Sequence, residues 1–343
     1  MDLNLKKIKK PKVMIISGPT ASGKTKVAID LAKAVRSSVG ISVEIVNFDS
    51  LLFYRELKIG TAAPSLQEMQ EVPHHLVGIV SVRNPLNANS FMLLAQEIIA
   101  KLHQQDIVPL LVGGSGFYLR ALLHGMYESP STPSIIKSKS DELYLNEGIV
   151  PFLRILEQED SDSLQKLHIN DHYRIRRAVE HYWTHGTKFS LLKDLWERQQ
   201  KQHQEQHQER HQNIHGWELL HFYLEVPSVT HRQLIAERVD VMLENGLQEE
   251  VTGLLAQGFS GEEKPLQSIG YKEMVDCCQS KNDDNAERMG AIIQTVREKI
   301  ITSTRRLAKA QRTWFRKVID KQQYNPLLCR KHIFDQGSKF CIS

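Results

Sequence analysis

The sequence predicts an α/β protein in which a parallel sheet is flanked by helices and interrupted by an all-helical insertion. Three observations lead there. Strand-like and helix-like patterns alternate through the first third of the chain, and the strands are continuously apolar, as strands covered on both faces are. A glycine-rich loop, Gly18-Pro19-Thr20-Ala21-Ser22-Gly23-Lys24-Thr25, stands between the first strand and the first helix. Between residues 126 and 210 the pattern is helical, with no strand signal.

Residues 13–17 read as the first strand and 24–35 as the first helix, followed by a strand at 43–47. Residues 91–103 read as helix, 107–112 as strand and 117–123 as helix. A Ser-, Pro- and Lys-rich crossing at 129–140 opens the insertion, and a Gln/His/Glu-rich run at 199–212 closes it. Residues 219–226 then return a strand to the sheet, and 230–257 and 287–317 read as long helices. The expected organisation is a discontinuous core, 1–125 and 211–330, a helical insertion at 126–210, and a tail at 331–343.

Hydrophobic residues make up 41% of the chain and charged residues 24%, the balance of an ordinary globular protein. No run approaches the twenty apolar residues that would span a membrane, so no membrane partner is expected. The first ten residues are basic but lead into no apolar core or cleavage site, so they do not read as a secretory signal. Cys277, Cys278, Cys329 and Cys341 form no CxxC pair and read as reduced thiols of a cytoplasmic protein. A net charge of +4 is too modest to establish a nucleic-acid partner, so the distribution of charge must decide.

The glycine-rich loop has the Walker A arrangement. Its backbone N–H groups and the following helix N-terminus cradle phosphate oxygens, Lys24 neutralises them, and the Thr25 hydroxyl ligates Mg²⁺. The core is therefore expected to be a P-loop sheet. In open parallel sheets ligands collect at the carboxyl ends of the strands. Three polar clusters stand there: residues 17–25, Asp49-Ser50, and Gly113-Gly114-Ser115-Gly116. The spacing suggests one composite site. Asp49 has three readings: a ligand of Mg²⁺, an acceptor of a proton from a nucleophile, or a helix cap shared with Ser50. The Gly-Gly-Ser-Gly run is either a tight turn or a backbone nest with a hydroxyl facing a departing oxyanion.

Arg305, Lys309, Arg312 and Arg316 recur at helical spacing and share one face, near Trp314 and Phe315. Acidic residues at matching positions are absent, which favours an RNA-phosphate surface over a solvated charged face. Arg174, Arg176 and Arg177, with Tyr173 and Tyr182, make a second candidate patch. His203, His207, His211 and His215 recur every four residues, but their Gln- and Glu-rich surroundings favour a solvated linker over a metal site.

Taken in order, the motifs are those of one family. They are GPTASGKT at 18–25, DSLLFYRELKIGTAAPS at 49–65, VPHHLVGIV at 72–80 and LLVGGSGFYLRALLHG at 110–125. NDHYRIRRAVEHYWTHG at 170–186, RVDVMLENGLQEEV at 238–251, SIGYKEM at 268–274 and TRRLAKAQRTWFRK at 304–317 follow. The chain resembles the bacterial tRNA dimethylallyltransferases, also called tRNA isopentenyltransferases, from about residue 13 to residue 317. The resemblance implies that the loop Gly18–Thr25 holds the pyrophosphate of dimethylallyl diphosphate. It implies transfer of the five-carbon group to N6 of the adenosine 3′ of the anticodon, in tRNAs reading codons that begin with U, with release of diphosphate. Asp49, Ser115 and Arg238 are the implied catalytic residues, with Thr25 as the Mg²⁺ ligand. Asp49, Ser50, Leu51, Leu52, Ser115, Lys137, Arg305, Lys309, Arg312 and Arg316 are the implied contacts to the tRNA anticodon stem-loop. A cytoplasmic monomer of the bacterial type, without a Cys₂His₂ finger, is expected. Rival readings are a transferase acting on free adenylate, a P-loop small-molecule kinase and a non-enzymatic RNA-binding protein.

The sequence departs from the family pattern in places. Ser115 stands where Thr is usual and keeps the hydroxyl, whereas Ala63, Leu234 and Ala310 each remove a cation. Lys137 keeps a charge but loses the bidentate fork of the usual Arg.

Overall fold

The computed structural model describes residues 10–126, 132–192, 194, 213–280, 286–318 and 321–343, with the backbone alone for 286–289. It forms two compact units: Met1–Gly125 with Asn213–Ser343, and Met126–Gln212. In chain order the first unit opens with β1 (Lys12–Ser17), α1 (Lys24–Val39), β2 (Val43–Asn47), α2 (Leu66–Glu71) and β3 (His74–His75). It continues with α3 (Ala88–Gln104), β4 (Val108–Gly113) and α4 (Gly116–His124). The second unit contributes α5 (Ser134–Glu147), α6 (Val150–Glu159), α7 (Ser161–Lys166) and α8 (His172–His185). The first unit then resumes with β5 (Glu218–Leu224), α9 (Ser228–Glu244), α10 (Leu247–Ala256), α11 (Tyr271–Gln279), α12 (Ala286–Phe315), β6 (Lys321–Tyr324) and α13 (Arg330–Ile342).

The six strands pair in parallel in the order β3-β2-β4-β1-β5-β6. The central strand shows why its sequence is continuously apolar. Met14 and Ile16 point to one face, where they pack with Val27, Leu31 and Val35 of α1 and with Ile333 of α13. Val13 and Ile15 point to the other face, against Phe91 and Ile99 of α3, Leu119 of α4 and Phe315 of α12. Side chains alternate along a strand, so a strand covered on both faces needs apolar residues at every position. The chain leaves β1 toward β2 on one side and reaches β5 on the other, so β1 and β4 flank the point where the connections diverge. In register, Ser17 stands beside Gly113, and Asn47 beside Val112, which brings three loops to one edge.

A third cluster, formed by α9 to α12 with Tyr54, Leu57 and Val82, underlies the loop after β2. The second unit has its own small core of Phe152, Leu156, Ile175, Ala178 and Val179. There the buried Asp160 accepts from the N–H and hydroxyl of both Ser163 and Ser190.

Three features differ from the sequence expectation. The helical pattern at 230–257 is two helices, because Gly246 takes a left-handed φ of 94° and restarts the chain as the N-cap of α10. Residues 331–343 are no tail. They form most of α13, whose Gly337 lies so close to α1 that a Cβ would fall 2.7 Å from Leu31. The strand β6 was not anticipated at all. His203, His207 and His211 lie outside the described residues, while His215 stacks on Trp217 with ring centroids 4.0 Å apart. Among the described residues no helix is long and apolar enough to cross a membrane.

Candidate active site

The phosphate-type loop emerges from β1 at Ser17, whose hydroxyl lies 2.6 Å from His221 Nε2 of β5. Burial, reinforced by the Lys321 charge, drops that imidazole to about 3, so it is neutral. Gly18 follows where nothing larger fits: a Cβ would fall 2.7 Å from the Leu224 carbonyl oxygen. The loop is then tied to distant elements. The Thr20 N–H donates to Gln311 Oε1 of α12 at 2.8 Å, and Gln311 Nε2 donates to the Gly114 carbonyl at 3.1 Å. One amide side chain thus joins the loops after β1 and β4. Lys24 Nζ donates to the Pro19 carbonyl at 2.9 Å. Ser22 Oγ is buried with no hydrogen-bond partner.

The loop after β2 closes the other side. The Asp49 N–H donates to Asn47 Oδ1 at 2.8 Å, and the Asp49 Oδ1 accepts from the Leu51 N–H at 3.2 Å. No helix begins here, so Asp49 caps a turn rather than a helix. The Ser50 N–H donates to Ser115 Oγ at 3.1 Å, and the Ser115 hydroxyl donates to Ser50 Oγ at 3.3 Å. A cavity of about 290 Å³ lies between these loops, lined by Lys24, Thr25, Asp49, Leu52, Gly113 and Arg238 among others. Ala21, Ile45, Val77 and Val112 give it an apolar side.

Arg238 reaches the cavity from α9 and donates from Nη2 to the Thr61 carbonyl at 3.0 Å. The turn that carries Thr61 is held in place by Glu250 of α10. That carboxylate accepts from the backbone N–H groups of Lys58, Ile59 and Gly60 and from the Tyr271 hydroxyl. Lys24, Lys26 and Arg238 therefore share the cavity with the carboxylates of Asp49 and Glu68. Burial lowers the Lys24 pKa to about 8, with Asp49 opposing and Arg238 adding to the shift. Arg238 is likewise pushed down by burial, with Asp49 opposing. A pocket carrying surplus positive charge in a desolvated site is built for an anion.

The residues expected to meet RNA separate into groups. Arg305 and Lys309 are exposed on α12, and Arg316 is exposed just past its end. Arg312 is not part of that surface. It turns inward, pairing with Glu225 at 2.7 Å and donating to the Val226 carbonyl and to His231 Nδ1. The acid that claims it comes from the end of β5, where no scan along α12 could find it. Beside the exposed cations, Arg306, Lys309, Thr313, Trp314 and Lys317 line an open depression of about 450 Å³. Lys137 is exposed on the first turn of α5, in the helical unit. The patch on α8 is largely occupied within its own unit: Arg174 pairs with Asp171, Arg176 with Asp141, and Arg177 with Glu180.

The family model described as IPP transferase matches residues 52–318. The chain belongs to the IPP transferase family. It is 38% identical over 307 residues to tRNA dimethylallyltransferase 1 of Trichlorobacter lovleyi, covering 90% of this chain and 91% of that one. It is 35% identical over 305 residues to the tRNA dimethylallyltransferase of Syntrophobacter fumaroxidans, at 89% and 80% coverage. A crystal structure of a tRNA delta(2)-isopentenylpyrophosphate transferase from Staphylococcus epidermidis superposes with a TM-score of 0.62 at 28% identity, over 96% of this chain and 98% of that one. A eukaryotic dimethylallyltransferase, described as acting on tRNA, shares the fold with a TM-score of 0.68 at 24% identity, over 92% and 74% of the two chains.

Membership of the IPP transferase family makes the protein a transferase. Reading the residues found Lys24 and Asp49, and the family resemblance added Arg238, but both missed the neutral residues that hold them. Gln311 stood in plain view between two cations of an IPP transferase motif, and Asn47 ends a strand as a buried polar residue. Glu250 and Tyr271 lie in two separate motifs, GLQEEV and IGYKE, and only the fold brings them into contact.

Proposed function

We infer that this protein transfers the dimethylallyl group of dimethylallyl diphosphate to N6 of the adenosine 3′ of the anticodon, in tRNAs reading codons that begin with U, releasing diphosphate. The observation that carries the reading is the meeting of Lys24, Arg238 and Asp49 at one cavity with an apolar side. Anion-binding groups, a carboxylate to take a proton and room for a short branched chain are what such a transfer requires.

The loop Gly18–Thr25 and Arg238 hold the diphosphate. Lys24 exchanges its bond to the Pro19 carbonyl for a phosphate oxygen. As the allylic C–O bond breaks, negative charge grows on the departing diphosphate, and Lys24, Arg238 and the loop amides stabilise it. The adenine N6 forms the new bond to the same carbon, and its proton passes to the Asp49 carboxylate. Ser115, tied to Ser50, keeps its hydroxyl at the mouth of the β4 loop, where it orients the base or the bridging oxygen. Leu51 and Leu52 flank the flipped base. The Thr25 hydroxyl, a hard oxygen donor at the cavity, with the unpartnered Ser22 hydroxyl in the same loop, fits Mg²⁺, which takes few protein ligands together with substrate phosphates. When bound, Mg²⁺ neutralises charge on the diphosphate. Arg305, Lys309 and Arg316, with Lys137 of the helical unit, engage tRNA phosphates.

Incubating the protein with unmodified tRNA, labelled dimethylallyl diphosphate and Mg²⁺ tests the reading. One C₅ unit on that adenosine and one diphosphate released are expected. Label on free adenylate alone, or ATP turnover without tRNA, would replace it with a rival activity.

A further inference from the structure

His231 sits on the first turns of α9, buried, and does not line the cavity. Its two ring nitrogens are both engaged. Nδ1 lies 2.7 Å from Arg312 Nη2, and Nε2 lies 2.7 Å from the Thr20 carbonyl oxygen. A guanidinium can only donate and a carbonyl can only accept, so the two contacts demand one tautomer: Nδ1 bare, Nε2 protonated and donating. Arg312 is fixed behind the ring by Glu225 and the Val226 carbonyl. The result is a chain from Glu225 through Arg312 and His231 to the phosphate loop.

The chain ends on a peptide that needs holding. Thr20 is gripped at both backbone groups, its N–H by Gln311 and its carbonyl by His231. The next residue, Ala21, has a left-handed φ of 58°, a conformation in which the Cβ of an L-residue crowds the backbone. Because the peptide is planar and trans, fixing the Thr20 carbonyl toward His231 turns the Ala21 N–H to the opposite side. Thr20 and Ala21 both line the cavity.

We propose that His231 is the positioning residue of the phosphate loop, setting the Thr20–Ala21 peptide so that its N–H donates to the diphosphate, and that it does so only as the neutral imidazole. A second proton would land on Nδ1, the atom that accepts from Arg312, and the ring would be driven from its place. The charges that face it are Arg312 and Lys24, which oppose that proton, and Glu225, which favours it. Burial is the largest influence and keeps the ring neutral below the ordinary imidazole range. The clamp is therefore closed at neutral pH and opens on acidification.

The inference rests on the diphosphate-binding reading of the loop, and the test separates the two. Binding of pyrophosphate with Mg²⁺ is measured by calorimetry on the full chain, without tRNA, for wild type, His231→Leu and His231→Gln. Leu fills the space but donates nothing, whereas the Gln amide reaches the Thr20 carbonyl and does not titrate. Leu should weaken binding about 3- to 10-fold at neutral pH, the worth of one lost hydrogen bond, and Gln should restore most of it. On acidification the wild type should lose affinity relative to Gln; comparing the two at each pH cancels the titration of pyrophosphate itself. In the transfer assay the Leu defect should appear in KM for the allyl donor and also in kcat, because the same N–H meets the charge that grows on the departing diphosphate, and Gln should rescue both. Leu binding as tightly as wild type, Gln no better than Leu, or wild type and Gln running parallel down to acid pH would each overturn the proposal. Failure of the wild type to bind pyrophosphate would sink the loop reading, and this proposal with it.

Discussion

Lys24 shows how a single residue trades stability for binding. Its ammonium is desolvated beside a second cation, so folding favours the neutral form and its pKa falls to about 8 from 10.5. Between those values the unfolded chain holds a proton that the folded chain has released, so this group's contribution to stability rises as pH climbs through that interval. Diphosphate binding runs the other way, because it needs the cation, and should weaken above about pH 8 in the ligand-free protein. Lys24→Met should therefore raise Tm at neutral pH while abolishing pyrophosphate binding, as thermal melts and calorimetry would record. Lys24 and Asp49 were legible in the sequence because chemistry marks them, a lysine after Gly-rich residues and an Asp past a strand, while Arg238 was legible only through the family motif that it opens. Gln311, Asn47 and His231 were not, since a neutral hydrogen-bonding residue gains its meaning only from the atoms that tertiary packing puts opposite it.

At the scale of elements, α12 carries several roles along one helix. Val296, Ile300 and Ile301 pack into the helical cluster, Phe315 closes one face of the sheet, and Gln311 and Arg312 brace the loop after β1. Its seat is narrow at α4, where a Cβ on Gly116 would fall 2.2 Å from the Trp314 ring. Gly116→Ala should cost about 1–3 kcal/mol by forcing the helices apart. Because Gln311 lies one turn away, pyrophosphate affinity should fall with Tm. The helical face of α12 was readable from spacing, but spacing treats its cations as alike, and Arg312 is claimed by Glu225 of another element. The strand β6 escaped because its Lys-Gln-Gln-Tyr carries no apolar run; it is an edge strand fixed by pairing with β5 and by the helix that follows. That helix packs on α1 through a buried Ile333, and Ile333→Ala should destabilise by about 2–5 kcal/mol in denaturant melts.

For the molecule as a whole, the sheet gathers three loops at one edge, and a cationic helix surface continues from the same unit. Those two parts should fail separately. Charge reversal at Lys309 and Arg316 should weaken tRNA binding and flatten its salt dependence, by about one unit of slope for each phosphate no longer neutralised, with pyrophosphate binding unchanged. Arg312→Ala should do the reverse. The central claim is that one carboxylate takes the proton from the attacking amine beside a gripped diphosphate. It is tested most directly by single-turnover prenyl transfer to tRNA with Asp49→Asn, measured together with pyrophosphate affinity. The rate should fall about 10²- to 10⁴-fold while the affinity holds. A rate near that of the wild type, or a loss explained entirely by weaker pyrophosphate binding, would contradict it.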